Sequence, residues 1–356
     1  MTPSGKSGLA FLVPGALDQV TGGYLFDRRI VEGLRRAGRK VDVVELAGAY
    51  PAADAAAHAA VAAAFAALPD GSAAVIDGLA LPGAETCLAD AASRLRLVGF
   101  IHHTLALETG LTTAEQAHYA DLEARQLPLL RGAICPSAET ARALVGYGLP
   151  PERIAIVPPG TAKPAAPAPL RTSGRLRLLC VATVTPRKGH LLLIEALASL
   201  ADLDWDLLCI GSLERDPAEA SALRAAIARH GLGSRVTLAG EWPPERLAEA
   251  YQAADAFVLP SFLEGYGMAF AEALAHGLPI VATRGGAIPD TVPESAGLLV
   301  PVGDTAALAA ALRRLLMEDG LRGALAEGAA RAGAALPDWD ETVRRWGEAF
   351  DRLAGK

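Results

Sequence analysis

The chain has 356 residues, 33 Lys and Arg against 40 Asp and Glu, a formal charge of −7, and a hydrophobic share of 51% that is largely alanine. At about 150 residues per domain this length predicts roughly two domains. The acidic balance argues against general nucleic-acid binding, and no stretch reaches the roughly 20 bulky apolar residues of a membrane span.

In chain order, the opening seven residues are polar. The run Gly8 to Val13 is too short for a secretory core and meets Pro14-Gly15, so it reads as a first buried strand of a cytoplasmic protein. Further strands are expected at 41–46, 73–77, 96–101, 131–135 and 154–157. In the second half they are expected at 176–184, 205–210, 236–239, 256–260, 279–282 and 297–300. Helical patterns fall between them, at 24–38, 52–67, 113–127, 137–147, 189–200, 217–230, 245–253, 268–276 and 304–316. Such alternation predicts an α/β protein with parallel sheets covered on both faces, and the unbroken apolar runs agree. The segment 161–170 is rich in proline and reads as a semi-stiff linker between an N-terminal domain, 1–160, and a C-terminal domain, 171–338. A last helix, 339–353, is expected to pack back on the first domain. Cys87, Cys135, Cys180 and Cys209 are widely spaced and form no C-x-x-C pair, which predicts buried thiols rather than a zinc site or a disulfide framework.

Ligands of such sheets bind beyond the carboxyl ends of the strands, so four strand ends are candidates. Gly22 and Gly23 precede a helix whose N-terminus would favour an anion, or they form an ordinary tight turn. His102 and His103 end an apolar strand, and side-chain alternation allows at most one to face a ligand; His102 is preferred. Arg187 and Lys188 stand before a helix N-terminus, where cations are unfavourable unless a di-anion such as a diphosphate lies between. The fourth end runs from Pro260 to Gly277. There Glu264 precedes Gly265, Tyr266, Gly267 and Met268, and Glu272 sits among Ala, Leu and Phe in the helix that follows. Carboxylates accept paired hydrogen bonds from diols and backbone amides at a helix start hold phosphate, so this constellation suits a polyhydroxylated anion.

With Glu264 and Glu272 in Glu-x7-Glu spacing, Arg187-Lys188-Gly189 and Gly22-Gly23, the chain resembles the retaining GT-B glycosyltransferases of family four. Ala133 to Ser137 and the exit Ile156 to Gly160 extend the resemblance over essentially the whole chain, although Pro158-Pro159-Gly160 stands where the family often has Pro-Asn-Gly. It implies a GT-B architecture of two facing Rossmann-like domains with a cleft between them. It further implies that Glu272 binds the donor ribose, Glu264 the donor sugar, and Arg187, Lys188 and the amides of 265–268 the diphosphate. Gly211 and Ser212 would border the nucleobase, Gly22 and Gly23 would close over the diphosphate, and His102 would touch the sugar. The donor would be a UDP or GDP sugar, used without a cofactor or metal.

A nucleotide-sugar 2-epimerase of the same fold, or a non-catalytic nucleotide-sugar-binding subunit, is the alternative. The acceptor is open between a small molecule and a lipid. Helix 27–40 carries Arg28, Arg29, Arg35, Arg36, Arg39 and Lys40 and could touch an anionic membrane, but a solvated face is the preferred reading.

Overall fold

A computed structural model describes residues 8–19, 21–168 and 174–355. The polar opening 1–7 and the linker's end, Pro169 and Leu170, lie outside those described residues. The chain divides into two units, Met1–Gly160 with Pro337–Lys356, and Thr161–Leu336. Among the described residues no helix is long and apolar enough to cross a membrane.

Unit 1 alternates β1 (Leu9–Pro14), α1 (Gly22–Arg36), β2 (Val41–Leu46), α2 (Ala55–Ala67), β3 (Ala73–Asp77) and α3 (Leu88–Arg94). It continues with β4 (Arg96–Phe100), α4 (Thr113–Gln126), β5 (Gly132–Cys135), α5 (Ala138–Gly146) and β6 (Ile154–Ile156). The six strands are parallel in the order β2-β1-β3-β4-β5-β6. Every side chain of β1 and β3 is buried, which is what apolar runs without alternation predict for strands covered on both faces.

Unit 2 runs β7 (Leu176–Val181), α6 (His190–Ala198), β8 (Trp205–Ile210), α7 (Pro217–Arg229), β9 (Val236–Leu238) and α8 (Pro244–Ala253). Then come β10 (Ala256–Leu259), α9 (Met268–Ala275), β11 (Ile280–Thr283), α10 (Ile288–Thr291), β12 (Gly297–Val300), α11 (Thr305–Met317) and α12 (Asp319–Ala335). Its parallel sheet is ordered β12-β11-β10-β7-β8-β9. In both sheets strand order reverses once, between β1 and β3 in unit 1 and between β7 and β10 in unit 2. A crevice at the carboxyl ends marks such a reversal.

The last helix, α13 (Trp339–Ala354), is part of unit 1. Trp346 and Phe350 stack at 5.6 Å, and Trp346 packs against Phe11 and Phe100 of the sheet. Basic residues of α1 and of the turn after it make contacts inside the unit, Arg29 and Arg39 with α13 itself. Arg39 pairs with Asp351 at 2.8 Å and lies over the Phe350 ring, Arg29 lies over Trp339, and Arg35 donates to the Val41 carbonyl. With Lys40 3.4 Å from Asp42, four of the six cations of the expected basic face therefore have partners inside the unit. The helix itself spans 22–36, so Arg39 and Lys40 lie beyond it rather than on its face.

Helix α12 carries no apolar periodicity strong enough to announce it. Its glycines permit close approach instead: a side chain on Gly328 would meet the Ser295 carbonyl, and one on Gly333 would meet that of Leu274. All four cysteines are free thiols, Cys135, Cys180 and Cys209 buried and Cys87 half-buried.

Candidate functional site

The unit 2 constellation forms at the strand-order reversal. After β7 the chain turns through Pro186–Lys188 and enters α6 by way of Gly189, whose φ of 69° only glycine adopts readily. A side chain at Gly189 would also lie 2.3 Å from the Pro260 carbonyl oxygen, so glycine lets the loops after β7 and β10 approach. The Phe262 amide donates to the Arg187 carbonyl at 2.7 Å, tying the two loops together.

Across this junction the Lys188 ammonium donates to Glu264 Oε1 at 2.6 Å, with Arg187 3.6 Å from Oε2. Arg187 also donates to the Leu263 carbonyl, and the Ser261 hydroxyl donates to Glu264 Oε1 at 2.6 Å. Burial opposes the Glu264 charge, but Lys188 and Arg187 outweigh it and hold the carboxyl below its ordinary range. Burial likewise pulls the Lys188 ammonium down, with the Glu264 carboxylate working against it. Glu264 is therefore an ionised carboxylate in a nearly dry setting, its side chain 7% exposed.

Glu272 lies on α9 and behaves differently. Its Oε2 accepts from the Tyr251 hydroxyl at 2.8 Å, and burial pushes its carboxyl up. Gly267, with φ 87°, caps the start of α9 ahead of Met268. Tyr266 is a buried ring whose carbonyl accepts from Thr291, and burial pushes its phenol to about 12. Gly211 follows β8 with its amide bonded to the Gly240 carbonyl, and the Ser212 hydroxyl beside it accepts from the Glu214 amide.

Unit 1 has its own cluster at its own reversal. His102 Nε2 lies 3.0 Å from Asp27 Oδ1 and 3.5 Å from Asp77 Oδ2, and the two carboxylates are 1% and 2% exposed. Asp77 ends β3 and accepts from the Leu79 amide, while Asp27 comes from the buried face of α1. Gly22 and Gly23 form the first turn of α1 behind the cap Thr21. A side chain on Gly23 would sit 3.3 Å from the imidazole. His103 instead pairs with Glu108 at 3.0 Å, so of the two histidines His102 joins the strand-end cluster. Glu123 on α4 accepts from the Leu105 and Ala106 amides and fixes the turn that follows; burial pushes it up to about 7.

Asp27, Asp77 and His102 are also the one group among the described residues whose His, Cys, Asp and Glu donor atoms lie close enough, within 4.8 Å, to share an ion. The His102–Asp27 contact has the length of a hydrogen bond, whereas Asp77 stands at ion-pair distance.

Of the expected residues, Arg187, Lys188 and Glu264 gather in unit 2 and Gly23 with His102 in unit 1, while the Glu272 carboxylate is held by Tyr251 and Gly211 and Ser212 contact Gly240 and Glu214. Five residues escape the motif reading. Asp27 falls one helical turn from Gly23 and Ile30, on the apolar face, and Asp77 closes the otherwise apolar run 73–76. Both are carboxylates where charge is seldom buried without a partner, and that signal was readable. Ser261 and the pair Gly285-Gly286 were not. Gly286, φ 58°, packs with its missing side chain 2.4 Å from the Glu264 carbonyl oxygen. The Ala287 amide donates to that same oxygen, so the loop after β11 buttresses the Glu264 loop from a distance no local pattern reveals.

Comparison with known proteins adds the family context. Residues 175–318 match the family model Glycosyl transferases group 1, and residues 78–162 match Glycosyltransferase Family 4. A D-inositol 3-phosphate glycosyltransferase of Acidothermus cellulolyticus is 36% identical over 223 residues, covering 57% of this chain and 49% of the relative. The amylovoran biosynthesis glycosyltransferase AmsK of Erwinia amylovora is 34% identical over 185 residues, covering 48% and 44%. The chain thus spans about half the length of the curated relatives it matches. Among solved structures, sucrose-phosphate synthase from Thermosynechococcus elongatus superposes with a TM-score of 0.79 at 21% identity, covering 98% of this chain and 99% of that one. HepE of Anabaena in complex with UDP-glucose does so with a TM-score of 0.72 at 20% identity, covering 97% and 99%. The chain therefore has the two Rossmann-like units of the GT-B fold and matches glycosyltransferase family models in two successive segments.

Proposed function

We propose that this protein is a retaining glycosyltransferase that moves a sugar from a nucleoside-diphosphate sugar to an acceptor hydroxyl. The observation that carries the reading is the gathering of Arg187, Lys188 and the ionised, buried Glu264 at the strand-order reversal of unit 2. Two cations fixed beside a helix start are a receptor for a diphosphate, and a charged carboxylate beside them is an acceptor for sugar hydroxyls.

In the proposed reaction the bond between the sugar and the diphosphate breaks while positive charge builds on the sugar and negative charge on the leaving group. Arg187 and Lys188 stabilise the leaving charge as it develops, and their positions beside α6 are set before the substrate arrives. Lys188 shifts its hydrogen bond from Glu264 to a phosphate oxygen, which releases the carboxylate to the sugar. Glu272, held by Tyr251, accepts hydrogen bonds from the ribose, and Gly211 with Ser212 borders the base. In unit 1, His102 donates to a substrate oxygen. The acceptor attacks the face from which the diphosphate leaves, the phosphate takes the acceptor proton, and the sugar keeps its configuration. No protein nucleophile and no metal enters this scheme.

Incubation with UDP- and GDP-sugars and a panel of acceptors tests the proposal, with inositol 3-phosphate tried first because several relatives carry that substrate in their names. Label transferred to an acceptor with its anomeric configuration kept is the expected result. Conversion of the donor to its 2-epimer, binding without turnover, or a product of inverted configuration would each refute the reading. Lys188→Ala is expected to lower kcat by about 10²-fold while changing donor affinity less, because the interaction strengthens as charge develops. Steady-state kinetics with a saturating acceptor measures the split.

A further inference from the structure

The unit 1 cluster has a feature that sugar binding alone does not require. A single imidazole faces two buried carboxylates, Asp27 from α1 and Asp77 from the end of β3, through the same ring nitrogen. Nε2 lies at hydrogen-bond distance, 3.0 Å, from Asp27 Oδ1 and at ion-pair distance, 3.5 Å, from Asp77 Oδ2, a setting in which two buried carboxylates favour a proton on the ring. Asp27 Oδ2 is buried without a hydrogen-bond partner, a costly arrangement unless the whole carboxylate is held by the charge of its neighbour. The other ring nitrogen, Nδ1, makes no hydrogen bond among the described residues.

We propose that Asp27 and Asp77 are positioning residues that hold His102 as an imidazolium, so that Nδ1–H is a permanent hydrogen-bond donor toward a substrate oxygen. The electron pair that a general base would use is thereby occupied, and His102 stabilises negative charge rather than taking the acceptor's proton. The rest of the environment supports this assignment. The ring is packed by Phe100 at 4.6 Å and Phe26 at 5.9 Å between centroids, with Gly23 against its edge. The Thr140 hydroxyl of α5 donates to the His102 carbonyl. Asp27 and Asp77 are the titratable groups that face the imidazole from these elements; burial pushes the Asp27 carboxyl up to about 7, and the charge of His102 works against that rise. Burial alone would lower its affinity for a proton, but the two carboxylates outweigh burial and lift the imidazole to about 10.

What His102 donates to rests on the glycosyltransferase reading; its charge state does not. The test is therefore NMR of the full chain with labelled histidine, the His102 resonances being assigned with His102→Gln and followed from pH 5 to 9. An imidazolium persisting through pH 8 is the expected result. In Asp27→Asn or Asp77→Asn the ring should titrate closer to the ordinary histidine value, about 6.5. A wild-type His102 that titrates near that value, or that is neutral at pH 7, overturns the proposal. So does specific loss of its Nε2 proton on addition of Zn²⁺ or Mn²⁺, which would make the cluster a metal site. Should either Asn variant fail to fold, the wild-type titration still decides. Where transfer is observed, Asp27→Asn should gain a falling limb of kcat as pH rises past its new histidine value, with donor KM little changed. If no transfer is found with any donor, the glycosyltransferase reading fails and the NMR result stands by itself.

Discussion

At the scale of single residues, the molecule treats its two motif glutamates in opposite ways. Glu264 is kept charged by Lys188 and Arg187, whereas Glu272 is pushed toward its neutral form and steadied by Tyr251. Removing one partner of a buried ion pair strands the other, so Lys188→Met is expected to destabilise unit 2 by about 3 kcal/mol. Combining it with Glu264→Gln should recover much of that loss, which a double-mutant cycle of thermal melts measures. Gly286→Ala carries a different penalty. Its φ of 58° and the 2.4 Å approach to the Glu264 carbonyl oxygen leave no room for a methyl group. A loss of about 1–3 kcal/mol is expected, together with weaker donor binding, because the loop it supports holds Glu264. Calorimetry with the donor reads both effects.

At the scale of elements, periodicity and strand chemistry made all twelve strands of the described residues legible, and most of the long helices with them. The strand expected at 176–184 stops at Val181, where the chain departs toward Arg187. Helix α12 was hidden because glycine carries no hydrophobic signal. Its contribution is to let backbone approach backbone at Gly328 and Gly333, a tertiary property that sequence spacing does not encode. The same distinction divides the site. Glu264, Glu272, Arg187 and Lys188 were readable because their spacing is local, whereas the Asp27–His102–Asp77 cluster joins three elements by topology. Helix α13 offers a direct test of element packing. Trp346 is fully buried between Phe11, Phe100 and Phe350, so Trp346→Ala should destabilise unit 1 by about 3–5 kcal/mol. Arg39→Ala, which loses a half-exposed ion pair and a ring contact, should cost about 1 kcal/mol. Chemical denaturation of the two variants orders them.

At the scale of the whole molecule, the pH response of stability follows from three buried groups: Asp27 and Glu123, each pushed up to about 7 by burial, cost stability as pH rises toward 7, and His102 acts above that. Its folded value is raised above the ordinary 6.5 to about 10, so the proton it binds stabilises the fold fully below 6.5. That contribution fades as pH climbs through 10. Between pH 7 and 10 the melting temperature of the wild type should therefore fall more steeply than that of His102→Gln. Unit 2 is one continuous segment with its own core around β7, β8 and β10, so the fragment Thr161–Leu336 is expected to fold alone. Its cooperative melting, and a shift of that melting by UDP or GDP, can be followed by circular dichroism.

The return of α13 to the first sheet bears on how the protein is made. A ribosome delivers β1 to β6 first, yet their core lacks Trp346 and Phe350 until residues 339–354 have emerged. Unit 2 has by then been synthesised in full. The usual order of co-translational folding, first domain first, is thus expected to be inverted here, with unit 1 completing its core only after unit 2 has been made.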